Sequence, residues 1–177
     1  MLTIVIPFYN RASYLRRTLD SVAAQTLRPL SVILVDNGST DRSAEIAREW
    51  METYNRPDFQ VSLISEARRG APAARNAGLA QVTTPYVMFF DSDDIMLAAH
   101  CASMLAALEK TPGADIVGKS IIYKKLTGKT IKGIYSTRRP LYSHIFKSIL
   151  ATQRFIVRTE LAREAGGWDN RAWGWND

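Results

Sequence analysis

The run Tyr86-Val87-Met88-Phe89-Phe90-Asp91-Ser92-Asp93-Asp94 decides how this chain is read: a continuous apolar stretch meets a cluster of carboxylates without a break. An apolar run that does not alternate is the pattern of a strand buried on both faces. Working outward, Leu2 to Ile6 and Val32 to Val35 repeat it, with weaker runs at Val61 to Ile64 and Ile116 to Val117. Helical spacing separates the runs. Leu15, Leu19 and Val22 form one stripe, Ile46, Trp50 and Tyr54 a second, and Leu97, Cys101, Met104, Leu105 and Leu108 the cleanest. Pro72 suits the first turn of an Ala-rich helix through Ala73, Ala74, Ala77 and Ala80. Alternating strands and helices predict an α/β fold with a mainly parallel sheet. After Val117 the alternation stops, and Ile121 to Lys125, Thr127-Gly128 and Thr130 to Tyr135 read as a hairpin.

What each strand ends in carries the functional signal. The first runs into Pro7-Phe8-Tyr9-Asn10, the second into Asp36-Asn37-Gly38-Ser39-Thr40-Asp41, the third into Asp91-Ser92-Asp93-Asp94. Open parallel sheets bind ligands at the carboxyl ends of their strands, so these groups should meet at one edge. Asp91 and Asp93 are two apart, which in a strand puts both on one side. Adjacent carboxylates repel unless a cation lies between them. Mg²⁺ or Mn²⁺, which take oxygen ligands and often share them with substrate phosphates, would fit a metal–diphosphate site here. The structural alternative is an Asp cluster capping a helix that begins near Leu97, with Asp94 best placed to do so.

Composition sets outer bounds. The chain has 177 residues, 46% hydrophobic and 23% charged, which is one ordinary globular domain and excludes disorder or a collagen-like repeat. Cys101 is the only cysteine, so no internal disulfide forms; the sequence fits a reducing cytosol. No run of about 18 apolar residues predicts a membrane span. The net charge of +6 points to anionic partners. Between Asp115 and Glu160 there is no acidic residue, while Lys119, Lys124, Lys125, Lys129, Lys132, Arg138, Arg139, Lys147, Arg154 and Arg158 all lie there. That block suits phosphate, anionic lipid or nucleic acid, or else is a solvated hairpin whose charges only keep it soluble. No Gly-x-Gly-x-x-Gly follows the first strand and no P-loop motif occurs. His100 and His144 lack partners at zinc spacing.

Five pieces in order then resemble the inverting family 2 glycosyltransferases, which have the GT-A fold. They are Ile4-Val5-Ile6-Pro7-Phe8-Tyr9-Asn10, Val35-Asp36-Asn37-Gly38-Ser39-Thr40-Asp41, Gly70 with Ala74-Arg75-Asn76-Ala77-Gly78, Phe90-Asp91-Ser92-Asp93-Asp94, and Gly166-Gly167-Trp168-Asp169 leading to Trp175-Asn176-Asp177. The resemblance implies a donor-binding half over 1–115 and an acceptor-side segment of the same domain over 116–177, cut short at its end. It implies that Pro7, Tyr9 and Asn10 line the base pocket, that Asp36 bonds the base, and that Asp91 reaches the ribose directly or through the metal. Asp93 would be the ligand for Mn²⁺ or Mg²⁺. Arg69, Gly70 and Arg75 fall where the family contacts nucleotide, with Arg68 also near the phosphates; the alternative for Arg75 is a structural pair with a strand-end Asp.

In the family the catalytic base is the Asp of a Glu-Asp pair. The matching pair here is Asn176-Asp177, which leaves Asp177 as the base and departs from the family at the preceding residue. Asp169 would be a turn residue or cap. Trp168, Trp173 and Trp175 would stack on sugar faces or simply pack the loop. The implied partners are a nucleotide-diphosphate sugar, UDP-sugar favoured, and a glycan or polyprenyl-linked acceptor, not nucleic acid. The implied location is cytoplasmic, peripheral at the inner membrane face through the basic segment 119–139. The competing readings are a GT-A domain that binds nucleotide sugar without turnover and, remotely, a sugar-nucleotide pyrophosphorylase, which would want a Gly-rich basic loop after the first strand.

Overall fold

A computed structural model describes residues 1–118, 121–124, 130–133 and 155–171. Its elements alternate as the sequence predicts: β1 (Leu2–Phe8), α1 (Leu15–Ala23), β2 (Leu30–Asp36), α2 (Ser43–Tyr54), β3 (Phe59–Ser65), α3 (Ala71–Gln81), β4 (Tyr86–Phe89) and α4 (His100–Glu109). β5 (Ile116–Gly118), β6 (Ile121–Lys124), β7 (Thr130–Gly133), β8 (Phe155–Arg158) and a short α5 (Thr159–Glu164) follow. The main sheet has the order β3-β2-β1-β4-β8-β5. Its first four strands are parallel, with Ile4 opposite both Val32 and Met88, whereas β8 runs antiparallel to β4 and to β5. β6 and β7 pair as the expected hairpin, whose turn lies outside the described residues. β8 is the strand that the sequence reading missed. Four residues without turn signals at a helix border carry too little pattern to be seen, although Ile156 and Val157 are buried in the sheet.

β1 is central and buried along its whole length. Its alternate side chains feed two cores. Leu2, Ile4, Ile6 and Phe8 pack with Leu15, Leu19 and Val22 of α1, Trp50 of α2, and Cys101, Met104 and Leu108 of α4. Val5 faces the other way, with Val35, Ala74, Leu79, Phe89 and Val157. α3 lies close on that second face. A methyl group at Gly78 would collide with Val5 and press on Val35, so the helix needs glycine there to approach β1 and β2. Leu97 departs from the expected stripe: it is 68% exposed and precedes α4, which starts at His100. Ala99 is the N-cap and makes no side-chain cap bond, so Asp94 is not the cap of that helix. The 91–99 segment is instead held to α1. Thr18 Oγ1 donates to the Ser92 carbonyl, Met96 N–H to Ser21 Oγ, and Gln25 Nε2 to the Leu97 carbonyl. Cys101 is buried as a core residue, and burial pushes its thiol up to about 12.

Candidate functional site

Because β1 to β4 are parallel, their carboxyl ends deliver Tyr9-Asn10, Asp36, Glu66 and Asp91 to one edge. Strand pairing does not continue into the acidic run: β4 stops at Phe89, Phe90 N–H still donates to Val5 O at 2.9 Å, and Ser92 and Asp93 form a turn. Strand periodicity therefore does not govern how Asp91 and Asp93 are placed. Each already has its own cation. Arg75 Nη2 donates to Asp91 Oδ1 at 3.1 Å from a side chain only 7% exposed, and Arg11 Nε lies 3.7 Å from Asp93 Oδ2. Arg75 thus takes the structural pairing that the sequence reading held as its alternative role.

The first two strand ends are knitted together. Asn10 adopts a left-handed φ of 50°, which Asn tolerates better than most side chains, and this turns its amide toward the β2–α2 loop. Asn10 Oδ1 accepts from Thr40 N–H at 2.8 Å and from Asp41 N–H at 3.3 Å. Asp36 Oδ1 accepts from Ser39 N–H at 2.9 Å, closing a turn within the same loop. Asp41 accepts from Ser43 and Ala12 backbone amides. The Ser43 hydroxyl first, then those amides, hold its carboxyl below the ordinary range. Pro7 is buried opposite Val35 in the β1–β2 ladder and supports the exposed Tyr9 and Asn10 without itself facing solvent.

A residue without an assigned role in the sequence reading organises the next loop. Asn37, 5% exposed, donates from Nδ2 to the carbonyls of Glu66 and Arg68 at 2.9 and 2.7 Å and accepts from Gly70 N–H at 2.8 Å. Its amide thereby fixes the β3–α3 loop that carries Arg69 to the edge. The Arg69 guanidinium sits 4.6 Å over the Tyr9 ring and beside Gly38. Arg68 turns away, bonded through Nε and Nη2 to Glu66, whose carboxyl it holds below the usual range. An amide directly after a buried strand was the available signal for Asn37.

The Gly166-Gly167-Trp168-Asp169 turn docks on α3. Asn76 Nδ2 donates to the Trp168 carbonyl and its Oδ1 accepts from Trp168 N–H, both at 2.8 Å. Gly167 has φ 68°, and a side chain there would strike the Asn76 amide, so glycine is required. The Trp168 ring meets Phe89 edge-on at 5.4 Å, with the Arg75 guanidinium 4.8 Å from its centroid. Trp168 is therefore a packing residue that backs Arg75. Asp169 is a turn residue: Arg171 donates to it from the backbone and side chain and holds its carboxyl down at about 2. Trp173, Trp175, Asn176 and Asp177 lie outside the described residues, as does most of the basic segment. Arg158, at the far end of that segment, pairs with Asp115 at 2.7 Å.

As a metal site the edge offers a short donor set. No three His, Cys, Asp or Glu side chains cluster for a metal among the described residues. Asp93, with its side chain 47% exposed, presents hard oxygen chemistry beside Asp91. One or two carboxylates plus diphosphate oxygens is a donor set that Mg²⁺ or Mn²⁺ accepts, so these residues fit a cation shared with a substrate.

Residues 3–162 match the profile of "Glycosyl transferase family 2". Glycosyltransferase GlyA of Streptococcus pneumoniae is 41% identical over 93 residues, which are 52% of this chain and 13% of that protein. The mannosyltransferase PcManGT of Pyrobaculum calidifontis, solved with GDP-Man and Mn²⁺, superposes with a TM-score of 0.70 at 23% identity over 95% of this chain and 47% of its own. S. aureus TarS 1-349 in complex with UDP-GlcNAc gives 0.71 at 22% identity, covering 94% of this chain and 48% of that one. The architecture is that of GT-A glycosyltransferases, and this chain spans about half of those solved chains or less.

Proposed function

The chain belongs to glycosyl transferase family 2, and from that premise we propose that it binds a nucleoside-diphosphate sugar, UDP-linked by preference, at the strand-end edge. It passes the sugar with inversion to a hydroxyl of a glycan or polyprenyl-linked acceptor. The observation that carries this reading is the delivery of Tyr9, Asn10, Asp36, Arg69, Asp91 and Asp93 to one edge of a GT-A sheet. Tyr9 and Asn10, supported by Pro7, take the base together with Asp36, whose carboxylate accepts from a base N–H. Asp91 takes the ribose, and the Arg69–Gly70 loop leading to Arg75 borders the diphosphate. Asp93 would hold Mn²⁺ or Mg²⁺, which when bound would neutralise charge on the leaving diphosphate.

Asp177 takes the proton of the acceptor hydroxyl as its oxygen bonds to the anomeric carbon. The bond from that carbon to the diphosphate breaks, and the nucleoside diphosphate leaves with the electron pair. The basic segment 119–139 rests on anionic lipid at the cytoplasmic membrane face. Sedimentation with neutral and anionic vesicles tests that last point, and equal binding to both removes it. A second reading, nucleotide-sugar binding without turnover, rests on Asn176 standing where the family has Glu.

Calorimetric titration of UDP with and without Mn²⁺, alongside Asp93→Ala, tests the donor site. Metal-dependent binding that the variant loses supports it. Absence of binding under both conditions overturns it. Release of UDP from UDP-sugars, supplied with and without glycan acceptors, then separates transfer from binding alone.

A further inference from the structure

We propose that Arg11 is an internal counter-cation for Asp93 that a divalent metal displaces, and that the released guanidinium then binds the donor diphosphate. The inference rests on the donor-site reading above and assigns Arg11 a role of its own within it. Arg11 Nε stands 3.7 Å from Asp93 Oδ2, with the two side chains 42% and 47% exposed. This is the only ion pair of Asp93 among the described residues. The separation is longer than a direct charge-assisted hydrogen bond, and the pair is open to solvent, so it exchanges readily.

The backbone of Arg11 is held by bonds that do not involve its side chain. Its N–H donates to Ser43 Oγ at 2.7 Å, and its carbonyl accepts from Tyr14 and Leu15 N–H at 2.9 Å each. The residue is thus fixed in the β1–α1 loop, with its backbone against Ser43 at the start of α2 and its side chain toward Asp93. Its guanidinium alone is free to turn from Asp93 to another anion across the same edge. A divalent cation competes directly for the Asp93 carboxylate because both are attracted to the same charge. Once displaced, a guanidinium suits phosphate better than any other side chain, offering a planar fork to two oxygens.

Two consequences distinguish this arrangement from a bystander surface pair. Metal binding to the nucleotide-free protein is opposed by Arg11, and metal and diphosphate binding reinforce each other through it. Arg11→Gln removes the charge while keeping the backbone bonds to Ser43, Tyr14 and Leu15. Arg11→Lys keeps the charge but loses the fork.

The probes are Mn²⁺, followed by the electron paramagnetic resonance signal of the free ion, and UDP, followed by calorimetry, both at low ionic strength. Arg11→Gln is expected to tighten Mn²⁺ binding without UDP by about two- to fivefold, the range that an exposed pair allows. The same variant is expected to weaken UDP binding in the presence of Mn²⁺ by about tenfold, the size of one charged hydrogen-bonding partner. Arg11→Lys should leave Mn²⁺ affinity near that of the parent protein while weakening UDP. If the parent binds Mn²⁺ and UDP, and Arg11→Gln changes neither affinity, the inference falls and the donor site stands. If the parent binds neither, the donor-site reading falls with it.

Discussion

Two arginine–aspartate pairs stand at the same edge of the sheet and differ in nearly every physical respect. Arg75–Asp91 is a 3.1 Å contact whose arginine side chain is 7% exposed, backed by the Trp168 ring, which packs against the second core. Arg11–Asp93 is 3.7 Å long and close to half exposed on both sides. Both neutralise a carboxylate of the same acidic run, but burial changes what each pair is for. A buried guanidinium cannot leave its partner without exposing an unpaired charge to a low dielectric, so Arg75 fixes Asp91 in place. The exposed pair costs little to open and leaves Asp93 exchangeable. One edge therefore combines a rigid carboxylate with an adaptable one.

The largest effect expected from this contrast is on stability. Arg75→Met should cost about 3 kcal/mol in urea unfolding, the lower end for breaking a buried pair because Asp91 keeps some access to water. Arg11→Gln, as the control, should fall within about 0.5 kcal/mol of the parent. Similar costs for the two variants would dissolve the distinction between a fixed and an exchangeable carboxylate.

The next effect concerns the loop that brings Arg69 to the edge. Asn37→Asp replaces an amide donor by a carboxylate facing the carbonyls of Glu66 and Arg68, and should destabilise by about 1–3 kcal/mol. Hydrogen exchange should rise at Glu66 to Gly70 before it rises in β1. Unchanged exchange in that loop would mean that Asn37 does not hold it. This loop also shows where sequence reading reached its limit. The buried strands, the Ala-rich helix after Gly70 and the polar strand ends were legible because each has a periodic or compositional signature. Legible in kind, too, was an arginine next to a strand-end Asp. The Arg11–Asp93 contact was not, because it joins residues 82 positions apart through loops with no repeating pattern. The same holds for Asn76 and Trp168, which meet only because α3 and the Gly166-Gly167 turn pack side by side. The end of β4 was misplaced for a related reason: Phe90 is apolar and buried, and burial without pairing looks the same in a sequence as burial within a strand.

A third pair separates geometry from burial and carries the smallest expected effect. Arg171 Nη2 meets Asp169 Oδ2 at 2.9 Å, shorter than either pair at the edge, yet the side chains are 90% and 53% exposed. The hydrogen bonds from Arg171 lower the Asp169 carboxyl from 3.8 to about 2. A lowered carboxyl favours the folded state above its unfolded value, and that contribution fades as pH falls from 3.8 through about 2. Carboxyl-detected NMR should therefore give Asp169 a midpoint near 2, rising toward the ordinary value as salt screens the pair. Asp169→Asn should scarcely alter unfolding at neutral pH, because solvent offsets most of what an exposed pair gains. A midpoint at the ordinary value in low salt would show that the pair does not form in solution. A large loss of neutral-pH stability would show instead that short distance, and not burial, governs these pairs, and the contrast between Arg75 and Arg11 would lose its physical basis.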